Sequence, residues 1–540
     1  MITLVATTVA EGAMTVVRWK PEVKVSRQET YLLKRCQKKR RLFAFLREQR
    51  HLLFADAFQQ ELEAMYRNTG AGREPLCPAM MAAALILQGY LGVSDADAVE
   101  LSVADLRWQM VLGCMGEETP PFSQGALFEF RERLIAHDMD RRLLERTAEI
   151  ARSTKGFDAT KLPKALRIAI DSSPLQGAGR VEDTLNLIGH AARKVVECVA
   201  QLLNWKFERV CREAGIPLLL HKSVKRALDR DWSDPRDKAE AVDVVARQVL
   251  SLERWIEAKL SEEAGEPPLD KLLATVRKIM EQDLDPPDPG GKRFRVREGV
   301  AEDRQISIED GDMRHGRKSK SKRIDGYKRH IAADLDSRAI LACSLTPANR
   351  PEHEALPELK ADLDGQGIRF AEAHFDRGYM GSPAVAEIAA QGAEILCKPW
   401  KTAESNLFTK DDFVLDLRSK TVTCPAGRTE PIDFGTTVKF PPPACDACRL
   451  RGACTKARKG RGRSVSIARD ERLQKRLRLA AKTKSGRQRF RERVAVEHSL
   501  AHLSQRQGNR ARYIGVRKNL FDVRRASAIQ NLEIVHRRAA

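Results

Sequence analysis

Little in this 540-residue chain suits a membrane, an oxidising compartment or a base-stacking surface. Its longest apolar run, MMAAALILQGYLG at 80–92, is shorter than the roughly 20 residues a helix needs to cross a bilayer. It predicts a buried helix and no membrane partner. The opening MITLVATTVAEGAMTVV has no basic region followed by an apolar stretch and cleavage site, which sets aside a secretory signal. Eleven cysteines are too few for a disulfide scaffold in so long a chain, and seven lie among apolar residues as expected of inert core thiols. Aromatic content of 6% argues against a stacking platform for single strands. No internal repeat is visible.

Acidic residues are the other shortage. Against 95 Lys+Arg stand 74 Asp+Glu, a net charge of +21. Such an excess favours a polyanionic partner, most often nucleic acid; a basic enzyme with solvated surface charge is the plainer alternative. With 42% hydrophobic and 31% charged residues the chain is globular, and too long for one ordinary core.

Residues 1–155 read as a helical N-terminal domain, from periodic apolar positions in LFAFLREQRHLLFADAFQQELEAMY and SQGALFEFRERLIAHDMDRRLLERTAEIA, the latter with Ser123 as N-cap. A plain bundle and a DNA-binding bundle both fit. A turn-rich linker, STKGFDATKLPK, leads into 160–180, where the β-favouring run Leu166–Ile170 meets Asp171 and then a Ser-Ser-Pro and Gly turn signal. Residues 181–290 read as a helical insertion closed by DLDPPDPGGKR. Over 300–400, GYKRHIAADLD, RAILACSLTPA, IRFAEAHFD and AEILCKPW read as strands, the later ones separated by helices, which predicts a mixed sheet with helices packed on it. Residues 401–465 are β-rich and Cys-bearing, and 466–540 form a basic segment with a final helix around Glu497.

Two apolar strands run into a carboxylate, at Asp171 and at Asp376. Ligands bind beyond the carboxyl ends of strands in open α/β sheets, so neighbouring strands would bring both acids to one edge. Oxygen ligands suit a hard cation such as Mg²⁺, and a third carboxylate can complete a metal pair for phosphoryl transfer. Either Asp alone could simply cap a turn. Asp310, Asp312 and Asp325 are rivals in polar loop sequence. In RFRERVAVEHSLAHLSQRQGNRARYIG, Phe490, Arg493, Glu497, Leu500 and Ser504 share helical spacing, and a surface ion pair between Arg493 and Glu497 is the plain explanation.

These residues resemble the DDE transposases of bacterial insertion sequences, in particular the insertion sequence 1182 family within the insertion-sequence-4 group. That group carries Tyr, two residues, Arg, three residues, Glu, six residues, Lys. Here Phe490, Arg493 and Glu497 keep the register, with Phe for Tyr and Ser504 where Lys is expected; Arg506 or Arg510 are the candidates to replace it. Asp171 followed by two Ser, a Pro and the Gly-rich LQGAG is similar to the first-Asp motif. FDRGYMGSPAV is similar to the second, and RARYIGVRKNLFDVRRASAIQNL to the family's tail with a late Asn, Asn531. GYKRH with TPAN, and LCPAMMAAALILQGYLGVSDADAVE, resemble further segments.

The resemblance implies an RNase H-like catalytic core, with Asp171 on the first strand, Asp376 just after the fourth and Glu497 on a later helix. It implies two Mg²⁺ (or Mn²⁺) ions on these three acids, cleavage at the ends of an element and transfer of the 3′-hydroxyls to target DNA. The implied partners are double-stranded DNA (terminal inverted repeats and target) and a second copy in a homodimer, in a bacterial cytoplasm at the nucleoid. Arg493, Arg506, Arg510, Arg512, Arg317, Lys318 and Lys328 are the implied DNA contacts. An RNase H-like nuclease without transposition and an inactive transposase-derived DNA-binding protein are the alternatives.

Cys424, Cys445, Cys448 and Cys454, each near a turn, suit a structural Zn²⁺ that would stabilise a small insertion poor in apolar residues; incidental thiols are the alternative. The basic runs at 314–323 and 456–493 would neutralise phosphates without reading sequence. His374, His498 and His502 flank the acids with no assigned role.

Overall fold

The structure, a computed structural model, describes residues 17–66, 75–153, 163–287, 293–318, 321–400 and 406–539. Most of the linker expected at 153–164, part of the break at 283–293 and residues 319–320 of the first basic run lie outside the described residues.

The central sheet has six strands, the five longer ones being β1 (Ala165–Gln176), β2 (Arg323–Asp334), β3 (Ile340–Pro347), β4 (Arg369–Phe375) and β5 (Glu394–Cys397), in spatial order β3-β2-β1-β4-β5. The β1–β2 and β2–β3 pairs are antiparallel, while β1–β4 and β4–β5 are parallel. A short piece, Arg314–Arg317, extends the far end of β2.

Asp171 does not end its strand. β1 continues to Gln176 because β2 pairs with it from Ile168 to Gln176, a partner about 150 residues away that overrides the local Ser-Ser-Pro signal. What ends near Asp171 is the pairing with β4, last seen at Ala169–His374. Pro174 falls in the stretch of β1 that has lost its β4 neighbour, where a missing N–H is tolerated.

Four of the N-terminal helices are α1 (Arg41–Leu53), α2 (Pro78–Leu91), α3 (Gln124–Ala136) and α4 (Met139–Arg152). Ser123 caps α3 by accepting from Ala126 N at 3.1 Å. α2 is the expected buried helix. These helices are not a body apart: their apolar side chains share one core with Ile168 and Ile170 of β1, Leu341 of β3 and Phe375 of β4.

Helices α5 (Thr184–Leu202), α6 (Pro235–Lys259) and α7 (Leu269–Asp283) form the insertion after β1, around a core of their own. Its two ends lie together, the Thr184 hydroxyl donating to Asp283 at 2.9 Å. Helices α8 (Leu356–Gly365) and α9 (Pro383–Ala390) connect β3 to β4 and β4 to β5. After the Cys-bearing insertion come α10 (Glu471–Lys482), α11 (Lys484–Glu492), α12 (Val494–Gln507) and α13 (Val516–Ala539).

α13 is buried on every side from Asn519 to Leu532, so its polar groups must be paired internally. Arg524 meets Asp138 and Asp140, and Arg525 meets Asp522. The fully buried Asn531 treats the outer edge of β3 as a strand would: its Oδ1 accepts from Ile340 N at 2.8 Å and its Nδ2 donates to Ile340 O at 2.9 Å. Asn531→Ala leaves two buried backbone groups unpaired, each costing about 1–3 kcal/mol. A thermal midpoint several degrees lower is expected by calorimetry, with Asn531→Leu no better than Ala.

Candidate active site

The register of β1 on β4 pairs Ala169 with His374, so two residues further on Asp171 and Asp376 stand level at the same end of adjacent parallel strands. Each uses one oxygen on its own backbone: Asp171 Oδ1 accepts from Ser172 N, and Asp376 Oδ1 from Arg377 N, both at 2.8 Å. The second contact starts a short 3₁₀ turn, Arg377–Tyr379, that leads the chain away from β4.

The third acid arrives from α12. The chain around it is not one helix: α11 stops at Glu492 and α12 starts at Val494. Phe490 is therefore buried with Leu396, Cys397 and Leu477, apart from the face that carries Glu497. Arg493, at the break, donates from Nη1 to Asp171 Oδ2 at 2.6 Å and from Nη2 to Glu497 Oε1 at 2.8 Å. The i,i+4 pair exists, and the same guanidinium also fastens α12 to β1.

Asp171, Asp376 and Glu497 line one cleft of about 870 Å³, together with Glu352, Arg317, Lys318, Lys322, Lys328, Arg329 and Arg493. Burial raises the Asp171 carboxyl above its usual range and the charge of Asp376 adds to this, outweighing Arg493 and the Ser172 N–H. Desolvation pulls Arg493 down, yet Asp171, Asp376 and Glu497 together hold it above its usual range. The single guanidinium of Arg493 thus does not offset the burial of Asp171. With carboxylate oxygens and, among the described residues, no imidazole or thiol lining the cleft, the donor set fits a hard divalent cation such as Mg²⁺ or Mn²⁺.

Of the expected DNA contacts, Arg317, Lys318, Lys328 and Arg493 line this cleft, whereas Arg506, Arg510 and Arg512 do not. Arg506 pairs with Glu533, Arg510 donates to Ala178 O, and Arg512 to Gly92 O. The cation beside Ser504 is Arg329, from β2, which sequence reasoning missed. It is buried and donates to Ser504 Oγ (2.8 Å), Ser173 Oγ (2.9 Å), Gln507 Oε1 (2.8 Å) and the Pro174 and Gly508 carbonyls. No signal in the local sequence distinguishes it from neighbouring basic residues. The rival acids lie elsewhere: Asp310 accepts from Tyr327, Asp312 from Val516 N, and Asp325, on β2 and not in a loop, meets His315.

His374 is buried on β4 with its Nε2 2.9 Å from Glu372, and desolvation lowers its pKa. Glu372, His374 and Glu492 are the one group among the described residues whose ligand atoms cluster within 4.8 Å. Arg167, which contacts both glutamates, and Arg489 on Glu372 already neutralise it. His498 and His502 are exposed and line a separate groove along α12.

The Cys-bearing insertion has a three-stranded and a two-stranded sheet around Val422, Phe440 and Val465. Cys424, Cys445, Cys448 and Cys454 line one cavity of about 500 Å³ there. Burial raises the Cys454 thiol and the other three cysteines add to it, against Arg463. The four sulfurs converge on one space without closing to the 4.8 Å spacing of the Glu372 group.

Removing the cation between the acids gives a test. Arg493→Gln raises the Asp171 pKa further, so the folded state holds a proton that the unfolded state releases. Stability should then fall as pH rises above the ordinary aspartate value of 3.8, and recover as pH drops. At pH 7.5 without metal a loss of about 1–3 kcal/mol is expected, with millimolar Mg²⁺ restoring more of the thermal midpoint than in the wild type.

Comparison with family models places two matches on the chain: a transposase domain (DUF772) over residues 33–133 and a transposase DDE domain over residues 423–536. The first covers helices of the N-terminal part, the second the larger part of the Cys-bearing insertion, Arg493 and Glu497; Asp171 and Asp376 lie outside both. Both matches support a transposase function. No curated protein and no solved structure matches the chain.

Proposed function

We propose that the chain is a DDE transposase of the insertion sequence 1182 type, which cuts DNA at the ends of its element and joins the freed 3′-hydroxyls to target DNA. The observation that carries this reading is the level placement of Asp171 and Asp376 on adjacent parallel strands, with Glu497 tied to them through Arg493 in a cleft edged by basic side chains. The strand order β3-β2-β1-β4-β5, antiparallel on one side of β1 and parallel on the other, supports an RNase H-like core.

Asp171, Asp376 and Glu497 are the residues to hold two divalent ions. Bound there, the ions supply Lewis-acid stabilisation of the attacking and leaving oxygens of an in-line displacement at phosphorus. Arg493 orients Asp171 and Glu497. Arg317, Lys318 and Lys328 bind backbone phosphates, which gives affinity without sequence readout. Arg329 stands beside Ser504, where the family resemblance expects Lys, and locks the end of α12 against β1. The N-terminal helices serve DNA binding, and the protein acts as a homodimer bridging two terminal repeats. The cysteine cavity holds a structural Zn²⁺ that braces the small insertion.

Asp171→Asn, Asp376→Asn and Glu497→Gln should each lower cleavage of a DNA fragment carrying the sequences that border the gene by about 10³-fold or more. Binding of that fragment, by gel shift, should be largely kept. Full Mg²⁺-dependent cleavage by Asp171→Asn would sink the assignment. Elemental analysis should find one zinc per chain, lost in Cys445→Ser/Cys448→Ser together with a lower thermal midpoint.

A further inference from the structure

A fourth acid lines the cleft, and neither composition nor motif pointed to it. After β3 the chain passes Pro351 into a 3₁₀ turn, Glu352–Ala355, which packs on the Arg377–Tyr379 turn that follows Asp376. The half-buried Glu352 carboxylate touches both segments that carry the strand-end aspartates. Its Oε1 accepts from the hydroxyl of Ser172, whose own N–H donates to Asp171. Its Oε2 lies against Gly378, where an added Cβ would come within 2.0 Å of it. Gly378 does not have left-handed backbone, so what the glycine provides here is room for the Glu352 carboxylate and not a special conformation. Among the described residues no cation pairs with Glu352 within 4 Å: Lys328, the nearby cation in the cleft, donates to Arg350 O at 2.6 Å.

One carboxylate therefore links Asp171–Ser172 on β1 to the Asp376–Gly378 turn, at the level where β1 and β4 have ceased to be hydrogen-bonded to each other. The Tyr379 hydroxyl, 2.7 Å from Nδ1 of His330 on β2, anchors the same turn to the sheet, but Glu352 is the acid that reaches both aspartate segments. We propose that Glu352 is a positioning carboxylate: it helps fix the spacing at which Asp171 and Asp376 share a divalent cation, and its charge, not closed into an ion pair, raises the affinity of the cleft for that cation. This rests on the reading of the cleft as a divalent-metal site. Outer partners that orient metal ligands are worth about 10- to 100-fold in metal affinity.

The test is Mn²⁺ binding to the full-length protein without DNA, followed by the electron paramagnetic resonance of free Mn²⁺. Glu352→Gln keeps an acceptor for Ser172 and the shape of the side chain but removes the charge. Its expected result is a Kd raised roughly tenfold or more, with the number of bound ions and the thermal midpoint unchanged. Gly378→Ala, which must push the carboxylate aside, should weaken Mn²⁺ binding to a similar degree. It should add nothing in a Glu352→Ala background, since the two changes act on one contact. Wild-type affinity in both Glu352→Gln and Gly378→Ala would overturn the proposal. So would a loss of one bound ion in Glu352→Gln, which would make Glu352 a direct ligand. Asp376→Asn separates the two levels. If it loses Mn²⁺ while Glu352→Gln does not, only the role of Glu352 fails; if it binds Mn²⁺ like the wild type, the metal reading of the cleft fails.

Discussion

Carboxylates brought close together repel, and a site made of them holds its shape only if positive charge stands among them. Arg493 meets that constraint from an unusual place, the break between two helices. Because α11 stops at Glu492 and α12 starts at Val494, the arginine between them reaches β1 and Glu497 at once. The position of α12 on the sheet is thus set at one end by a charge contact with the acids themselves. At its other end Arg329 binds Ser504, Gln507 and Gly508 to β1. The helix that carries Glu497 is pinned at both ends by guanidinium groups, and the apolar contacts of Val496, Leu500 and Leu503 fill the space between.

The same logic extends along that face of the sheet. Arg167 on β1 and Arg489 on α11 lie among Glu372, Glu394 and Glu492, so that α11 too is held to the strands by ion pairs. On the opposite side apolar contacts dominate: the N-terminal helices, α13 and the sheet share a core, with Arg524 paired to Asp138 and Asp140. The sheet therefore has a charged face that carries the candidate chemistry and an apolar face that carries the bulk of the packing.

Much of this was legible in the residues. The apolar runs before Asp171 and Asp376 mark two of the strands, although only the second strand ends at its aspartate. The strand–helix alternation over 300–400 matches the observed β2 to β5. What stayed hidden is non-local. The extension of β1 to Gln176 depends on a partner strand beyond a long insertion, and Ser-Ser-Pro reads as a turn until that partner is present. Glu352 and Ser172 are 180 residues apart, and no local pattern foretells their hydrogen bond. The break at Arg493 has neither Pro nor Gly to mark it, so the helical spacing from Phe490 to Ser504 looked continuous. Arg506, Arg510 and Arg512 lie outside the acid-lined cleft, beside Glu533, Ala178 and Gly92, a placement that composition does not reveal.

The helical insertion after β1 leaves and rejoins the core at neighbouring points, where Thr184 meets Asp283, and it has its own apolar interior. To the sheet it is a single loop, and closing a loop of a hundred residues costs only roughly 3 kcal/mol more than closing one of five. Length at this point is therefore thermodynamically cheap. The module can be exchanged, enlarged or trimmed to a short turn while β1 and β2 keep their register. The carboxylates and whatever the insertion does are in that sense separately variable parts of one chain.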